Sequence, residues 1–312
     1  MTIPDKRDGL LYFFGSIFAA FASYRMHIEL IDVGVFPIFE ALIDLHGRAP
    51  DQYRVLPYLL IEFIRNILEL FSSVELSPKY PIIIFDALFL FLSSVLLAGM
   101  FSRLRIRLIL IFLLLTYPFM MFDGYRPISS FILFLSSLTM LLCQQHTLPM
   151  RKLAFFLLLL TFSFTRADVA LVLAVISFAY VSFNNLEKGL IVVIPIGIQL
   201  LLSRVLFPEA EYFSSVVMIM DNLGGRFLIG SPLSYLIIGL LICFWSEVAG
   251  FVSSAWRQRK QALIPLLSYC VLLFIIARPN ETRLFLPLLP AVLLLLGDQQ
   301  ASDKQEAAGE TM

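Results

Sequence analysis

The sequence predicts an all-α, polytopic integral membrane protein of about ten transmembrane helices, with two or three interfacial helices in its outer loops. Three observations predict it. Of the 312 residues, 59% are apolar and only 15% charged, against roughly 45–50% and about 25% in soluble domains. The apolar residues form long continuous runs without the apolar/polar alternation of barrel strands. The basic residues collect in every second connection between runs, as they do in inward-facing loops.

A span needs about 20 apolar residues, within a range near 17–25. The candidate runs are 9–25, 80–100, 108–124, 127–145, 152–165, 168–183, 189–206, 233–252, 262–277 and 284–297. The first follows Lys6 and Arg7 and ends in small residues like a signal peptide, but the many runs behind it favour a retained span. With the N-terminus in the cytoplasm, the inner turns hold Arg103, Arg105 and Arg107, then Arg151 and Lys152, Lys188, and finally Arg257, Arg259 and Lys260. Both termini are then cytoplasmic. The reading is one transmembrane domain, 1–297, followed by a disordered cytoplasmic tail, 298–312.

The segment 57–72 is the exception among the apolar runs. Its polar residues Glu62, Arg65, Asn66 and Glu69 share one helical face. Four such groups are costly inside lipid, so an amphipathic helix at the interface is expected. A second such helix is expected over 34–46, closed by Gly47. Both belong to a long outer loop, 26–79, which carries Glu29, Asp32, Glu40, Asp44 and Asp51.

The other outer turns bring charge to the membrane edge. They hold Asp123 to Arg126, Arg166 beside Asp168, and Arg278 to Arg283 around Glu281; a longer segment, 207–232, carries Glu209, Glu211, Asp221 and Arg226. Ionised groups at this depth face one another, a cavity or a ligand. Taken singly, Arg166 and Asp168 are as well explained by snorkelling to the interface. Four outer turns with an Arg beside an acid or a Tyr favour a shared polar cavity, and Arg grips phosphate bidentately.

Other chemistries are disfavoured. Net charge is zero, so the overall balance implies no nucleic-acid partner. Cys143, Cys243 and Cys270 sit in apolar runs without CxxC spacing, and His27, His46 and His146 form no HxxxH or HExxH pattern. No Walker loop, GxGxxG or GxSxG elbow is present. No metal site is assigned, no cofactor is indicated, and a need for a divalent cation stays open.

Two segments carry a family resemblance. Gln52-Tyr53-Arg54-Val55-Leu56-Pro57 is similar to a motif of bacterial GT-C-like membrane proteins, and Glu281-Thr282-Arg283 with Pro287 and Pro290 resembles a late segment of such enzymes. With the long first outer loop, the chain resembles the membrane-embedded GT-C-type glycosyltransferases that use polyprenyl-phosphate-linked sugars. Asp32-Val33-Gly34-Val35-Phe36 lacks the second acid usual in that family.

The resemblance implies transfer of a sugar from a polyprenyl-phosphate donor to an acceptor on the non-cytoplasmic face. Asp32, or else Asp51, would be the catalytic base. Asp32 is as well explained as the N-cap of the 34–46 helix. Arg126, Arg166 and Arg283 would neutralise the donor phosphate, with Arg54, Asp168 and Glu281 in support. The implied partners are the lipid-linked sugar and membrane lipids; protein partners are unknown. The implied location is a bacterial inner membrane. The rival readings are a lipid-linked polysaccharide polymerase, a transporter or flippase of lipid-linked or small polar substrates, and a non-catalytic assembly subunit.

Overall fold

The computed structural model describes residues 5–26, 53–71, 79–100, 104–120, 128–145, 150–209, 239, 242–243, 245–276 and 282–296. Within them the regular structure is helical throughout: α1 (Lys6–Tyr24), α2 (Val55–Leu70), α3 (Lys79–Met100), α4 (Leu104–Met120), α5 (Ile128–Gln144), α6 (Arg151–Ser177), α7 (Asn185–Leu201, extended by a π-helical turn Leu202–Leu206), α8 (Trp245–Ile276, interrupted at Arg259 by a non-helical φ of −143° and ψ of 45°) and α9 (Leu286–Leu296). Among the described residues, three runs are long and apolar enough, by length and composition, to cross a membrane: Lys79–Met100, Arg151–Ser177 and Asn185–Leu206, of which the second is broken at Arg166. The expected helix 34–46, the tail 298–312 and most of the segment 210–244 lie outside the described residues.

Among these runs, α6 is a hairpin. Arg166 has an extended backbone, φ −161° and ψ 88°, in the middle of it. A continuous helix would set residues 151 and 180 roughly 43 Å apart, at 1.5 Å per residue. Instead Arg151 Nη2 lies 3.5 Å from the carbonyl oxygen of Tyr180. The rings of Phe155 and Phe183 are also in contact, with centroids 5.2 Å apart. The chain therefore reverses at Arg166. Separate runs were expected over 152–165 and 168–183, with a turn between them, and the reversal replaces that turn with a single residue.

Contacts sort the helix ends into two sets. At one end, called here the far end, Arg151 closes α5 by donating to the carbonyls of Leu142 and Cys143, both at 2.6 Å. Lys152 pairs with Glu187 at 2.7 Å, and the Arg259 guanidinium lies over the Tyr180 ring. Asn184 and Glu187 form a capping box that starts α7 at this end. Toward the opposite end, Tyr117 of α4 donates to Asp86 of α3 at 2.7 Å and bonds Ser130 in the first turn of α5. Arg107, ten residues earlier in α4, pairs with Asp8 at the start of α1 at 3.0 Å, so α1 and α4 run parallel.

Packing follows from small and aromatic residues. α1 lies against α3 and α4, α3 against α5, and the hairpin α6 against α5, α7 and α8. Phe85 and Phe89 of α3 interleave with Phe131 and Phe134 of α5. Gly15 lets α1 approach α4 closely, since a Cβ there would stand 3.0 Å from Leu114 Cδ1. Buried Ser23, Ser136, Ser137, Thr139 and Ser163 each return their hydroxyl to a carbonyl four residues back. That satisfies them without water and keeps contact surfaces narrow.

The outside of the bundle is apolar. Leu186, Leu190, Val193, Ile196 and Leu200 form an exposed stripe along α7, as do Leu10, Phe14 and Phe18 along α1. In water such patches favour association; facing acyl chains they carry no such cost. Differently patterned, α2 pairs Arg65 with Glu62 at 2.5 Å and with Glu69 at 3.8 Å. It buries Pro57, Tyr58 and Ile61 against neighbours that include α3 and α6. The helix expected over 57–72 is thus present, begun two residues earlier.

Candidate functional site

The site lies at the end opposite Arg151, where three distant pieces of chain bring arginines together. Arg54 is the residue before α2, and Pro57 in the first turn fixes where that helix starts, because its missing N–H is not needed there. Arg166 stands at the reversal of α6. Arg283 belongs to a 3-10 turn, Thr282–Leu284, followed by a second one, Leu286–Leu288, with Pro287 in its first positions. Arg54, Arg166 and Arg283 line a single narrow cleft with Ser129, Ile128, Ile132, Leu284 and Pro287.

The cleft is amphipathic. Its lining mixes three arginines and Ser129 with the aliphatic residues Ile128, Ile132, Leu284 and Pro287. Ile128 and Ser129 open α5, whose N-terminal backbone N–H groups carry partial positive charge. The free volume is about 20 Å³, where roughly 10–15 Å³ holds one water.

Arg166 is held firmly. Its side chain is 9% exposed, while that of Asp168 is 49% exposed. Arg166 Nε donates to Asp168 Oδ1 at 3.2 Å, and Nη2 donates to Oδ2 at 3.2 Å. Tyr269 of α8 completes the cluster: its hydroxyl donates to Asp168 Oδ2 at 2.5 Å and accepts from Arg166 Nη2 at 3.1 Å. Arg54 is near enough for its charge to act on both Asp168 and Tyr269. The Arg283 charge likewise reaches Tyr117, the partner of Asp86. Two Asp–Tyr pairs, Asp168–Tyr269 and Asp86–Tyr117, therefore lie within reach of the arginine charges.

Of the residues singled out in the sequence, Arg54, Arg166 and Arg283 share the cleft and Asp168 stands beside it. Asp32, Asp51, Arg126 and Glu281 lie outside the described residues. Among the described residues, no group of three or more His, Cys, Asp or Glu is placed to hold a metal ion. Tyr269, Tyr117 and Ser129 were not anticipated. Tyr269 and Tyr117 carry the one available signal, a hydroxyl inside an otherwise apolar run, which requires a partner when buried.

A lining that combines arginines with aliphatic side chains suits a ligand with an anionic head and an apolar tail. No family model, curated protein or solved structure matches this chain.

Proposed function

We propose that this chain is a membrane glycosyltransferase of GT-C-like architecture that grips the phosphate of a polyprenyl-phosphate-linked sugar in the three-arginine cleft. The single observation that carries the proposal is the convergence of Arg54, Arg166 and Arg283 on one cleft that aliphatic residues also line. The sugar passes to an acceptor on the non-cytoplasmic face, and the departing phosphate is neutralised by arginines already in place. Asp32 first, and Asp51 second, is the base that takes the acceptor's proton, an assignment that rests on the sequence resemblance.

The proposed topology has about ten spans, both termini in the cytoplasm of a bacterial inner membrane, and the cleft outside. Support comes from the far end of the bundle, where Arg107, Arg151, Lys152, Lys188 and Arg259 gather. An inward-facing surface is expected to be basic in this way.

Native mass spectrometry of the gently purified protein tests the reading. A co-purifying polyprenyl phosphate or its glycosylated form, weakened by Arg166→Ala or Arg283→Ala, is expected. Transfer activity should then disappear in Asp32→Asn or Asp51→Asn at normal expression. Only bulk phospholipid across several preparations would overturn the proposal and turn attention to transport. A bound carrier lipid with activity intact in both Asn variants would move the catalytic base elsewhere.

A further inference from the structure

Arg166 and Asp168 are two residues apart, a spacing that places side chains on different sides of a continuous helix. They meet because the backbone at Arg166 is extended and α6 reverses there. The resulting fork is asymmetric. Asp168 takes the Nε and Nη2 edge of the guanidinium, which fixes its plane, and Arg166 lines the cleft. A planar, paired guanidinium loses little further freedom on meeting a phosphate.

The fork alone would be attached only to its own hairpin apex. Tyr269 ties it to α8, since one hydroxyl both donates to Asp168 Oδ2 and accepts from Arg166 Nη2. The Tyr269 side chain is almost fully buried, 3% exposed, so the hydroxyl's position is set by packing. Arg54 completes the surroundings through its charge. Nothing in this cluster places Tyr269 on the cleft wall, so it acts on a ligand through Arg166.

We infer that Tyr269 and Asp168 are positioning residues that aim the Arg166 guanidinium into the cleft and thereby set its affinity for a lipid phosphate. The inference deepens the proposed function and rests on its reading of the cleft as a phosphate site. Asp168 is not the general base in this arrangement. A carboxylate that accepts from both a guanidinium and a phenol is stabilised as the anion and is a poor proton acceptor.

The test uses the whole chain in phosphatidylcholine nanodiscs, with farnesyl phosphate as probe and farnesol as the phosphate-free control. Wild type should prefer farnesyl phosphate. Tyr269→Phe, which removes one oxygen, should weaken that binding about tenfold, the scale of one hydrogen bond to a charged group. Asp168→Asn, at the more exposed position, should weaken it in the same direction. In an Arg166→Gln background, with residual binding through Arg54 and Arg283, Tyr269→Phe should have no further effect.

The outcomes separate. An equal loss from Tyr269→Phe in both backgrounds would mean a general structural role and would overturn the inference. Unchanged binding in Tyr269→Phe and Asp168→Asn, with Arg166→Gln weakened, would overturn it and leave the cleft reading standing. A wild type that does not distinguish farnesyl phosphate from farnesol would overturn both.

Discussion

Arg151 Nη2 and the carbonyl oxygen of Tyr180 lie 3.5 Å apart although 29 residues separate them. That contact brings the start of α6 to the turn beyond its end and makes Arg166 the apex of a helical hairpin. Each half of the hairpin is about 22 Å long or shorter, from 15 residues at 1.5 Å each. The polar apex and the basic base of the hairpin stand at opposite ends of the bundle. The functional reading depends on this separation, since it puts Arg166 beside Arg54 and Arg283 rather than beside Lys152.

The reversal is directly testable. Phe155→Cys and Phe183→Cys, in a chain whose own three cysteines are replaced, should be joined by a short bismaleimide and found as a cross-linked peptide pair. A continuous helix through Arg166 would hold these positions roughly 42 Å apart, and the pair would not form.

Arg151 is expected to matter at the far end for its geometry as well as its charge. Its Nε and Nη2 reach two successive carbonyls of α5 at 2.6 Å. Arg151→Ala should destabilise the bundle by about 1–3 kcal/mol, the range for a hydrogen bond to a charged group and a helix-end cation. Arg151→Lys should recover only part of it, because an ammonium lacks the planar fork. Thermal unfolding in detergent compares the three, and full recovery by Lys would contradict the two-pronged contact.

Buried Asp86 should depend on Tyr117. The carboxylate is inaccessible, and the Tyr117 hydroxyl is one of its donors at 2.7 Å. Tyr117→Phe removes that donor with little change in volume. The cost should be about 1–3 kcal/mol, read as a lower unfolding midpoint. Restoring the midpoint with Asp86→Leu in the Phe background would confirm that the loss came from the buried carboxylate short of one donor; a midpoint lowered further would argue that the other partners of Asp86 outweigh Tyr117.

The close approach of α1 and α4 rests on the missing side chain at Gly15. A Cβ would meet Leu114 Cδ1 at 3.0 Å, which a leucine terminus can relieve by a small shift. Gly15→Ala should therefore be tolerated, whereas Gly15→Leu should destabilise by roughly 1–3 kcal/mol through overpacking. Equal stability of Ala and Leu variants would show that the two helices separate freely.

Sidedness of α7 follows from its length. Residues 188 and 209 flank 21 steps of chain, about 31 Å if helical throughout, close to the hydrocarbon thickness of a bilayer. In the same cysteine-free background, Lys188→Cys and Glu209→Cys should react with a membrane-impermeant maleimide from opposite faces, with Glu209→Cys on the outside. Labelling of both from one face would rule out a crossing there.

Much of the helical architecture is legible in the sequence because lipid imposes a simple length rule on apolar runs. The runs at 9–25, 80–100, 108–124, 127–145 and 189–206 each coincide with a helix to within a few residues. The amphipathic face of 57–72 is equally plain, since Glu62, Arg65 and Glu69 repeat at helical spacing. Arg54, Arg166, Arg283 and Asp168 could be singled out because charge beside an apolar run is costly and therefore conspicuous. Tyr269 and Tyr117 stayed hidden, because a lone hydroxyl in an apolar run is cheap enough to be unremarkable until its partner is known.

The sequence by itself determined where helices form and which of their ends carry charge, because both follow from local composition and the 3.6-residue period. Only the tertiary structure decided that α6 turns back on a single extended residue, that residues as distant as Arg54 and Arg283 border one cleft, and that Tyr269 meets the Arg166–Asp168 fork. The physical reason is that these contacts join positions far apart in the chain, 29 residues at the α6 reversal and 101 and 103 where Tyr269 meets the fork. No local periodicity encodes such partners; they are selected by how the Phe and Ser surfaces of the helices fit together.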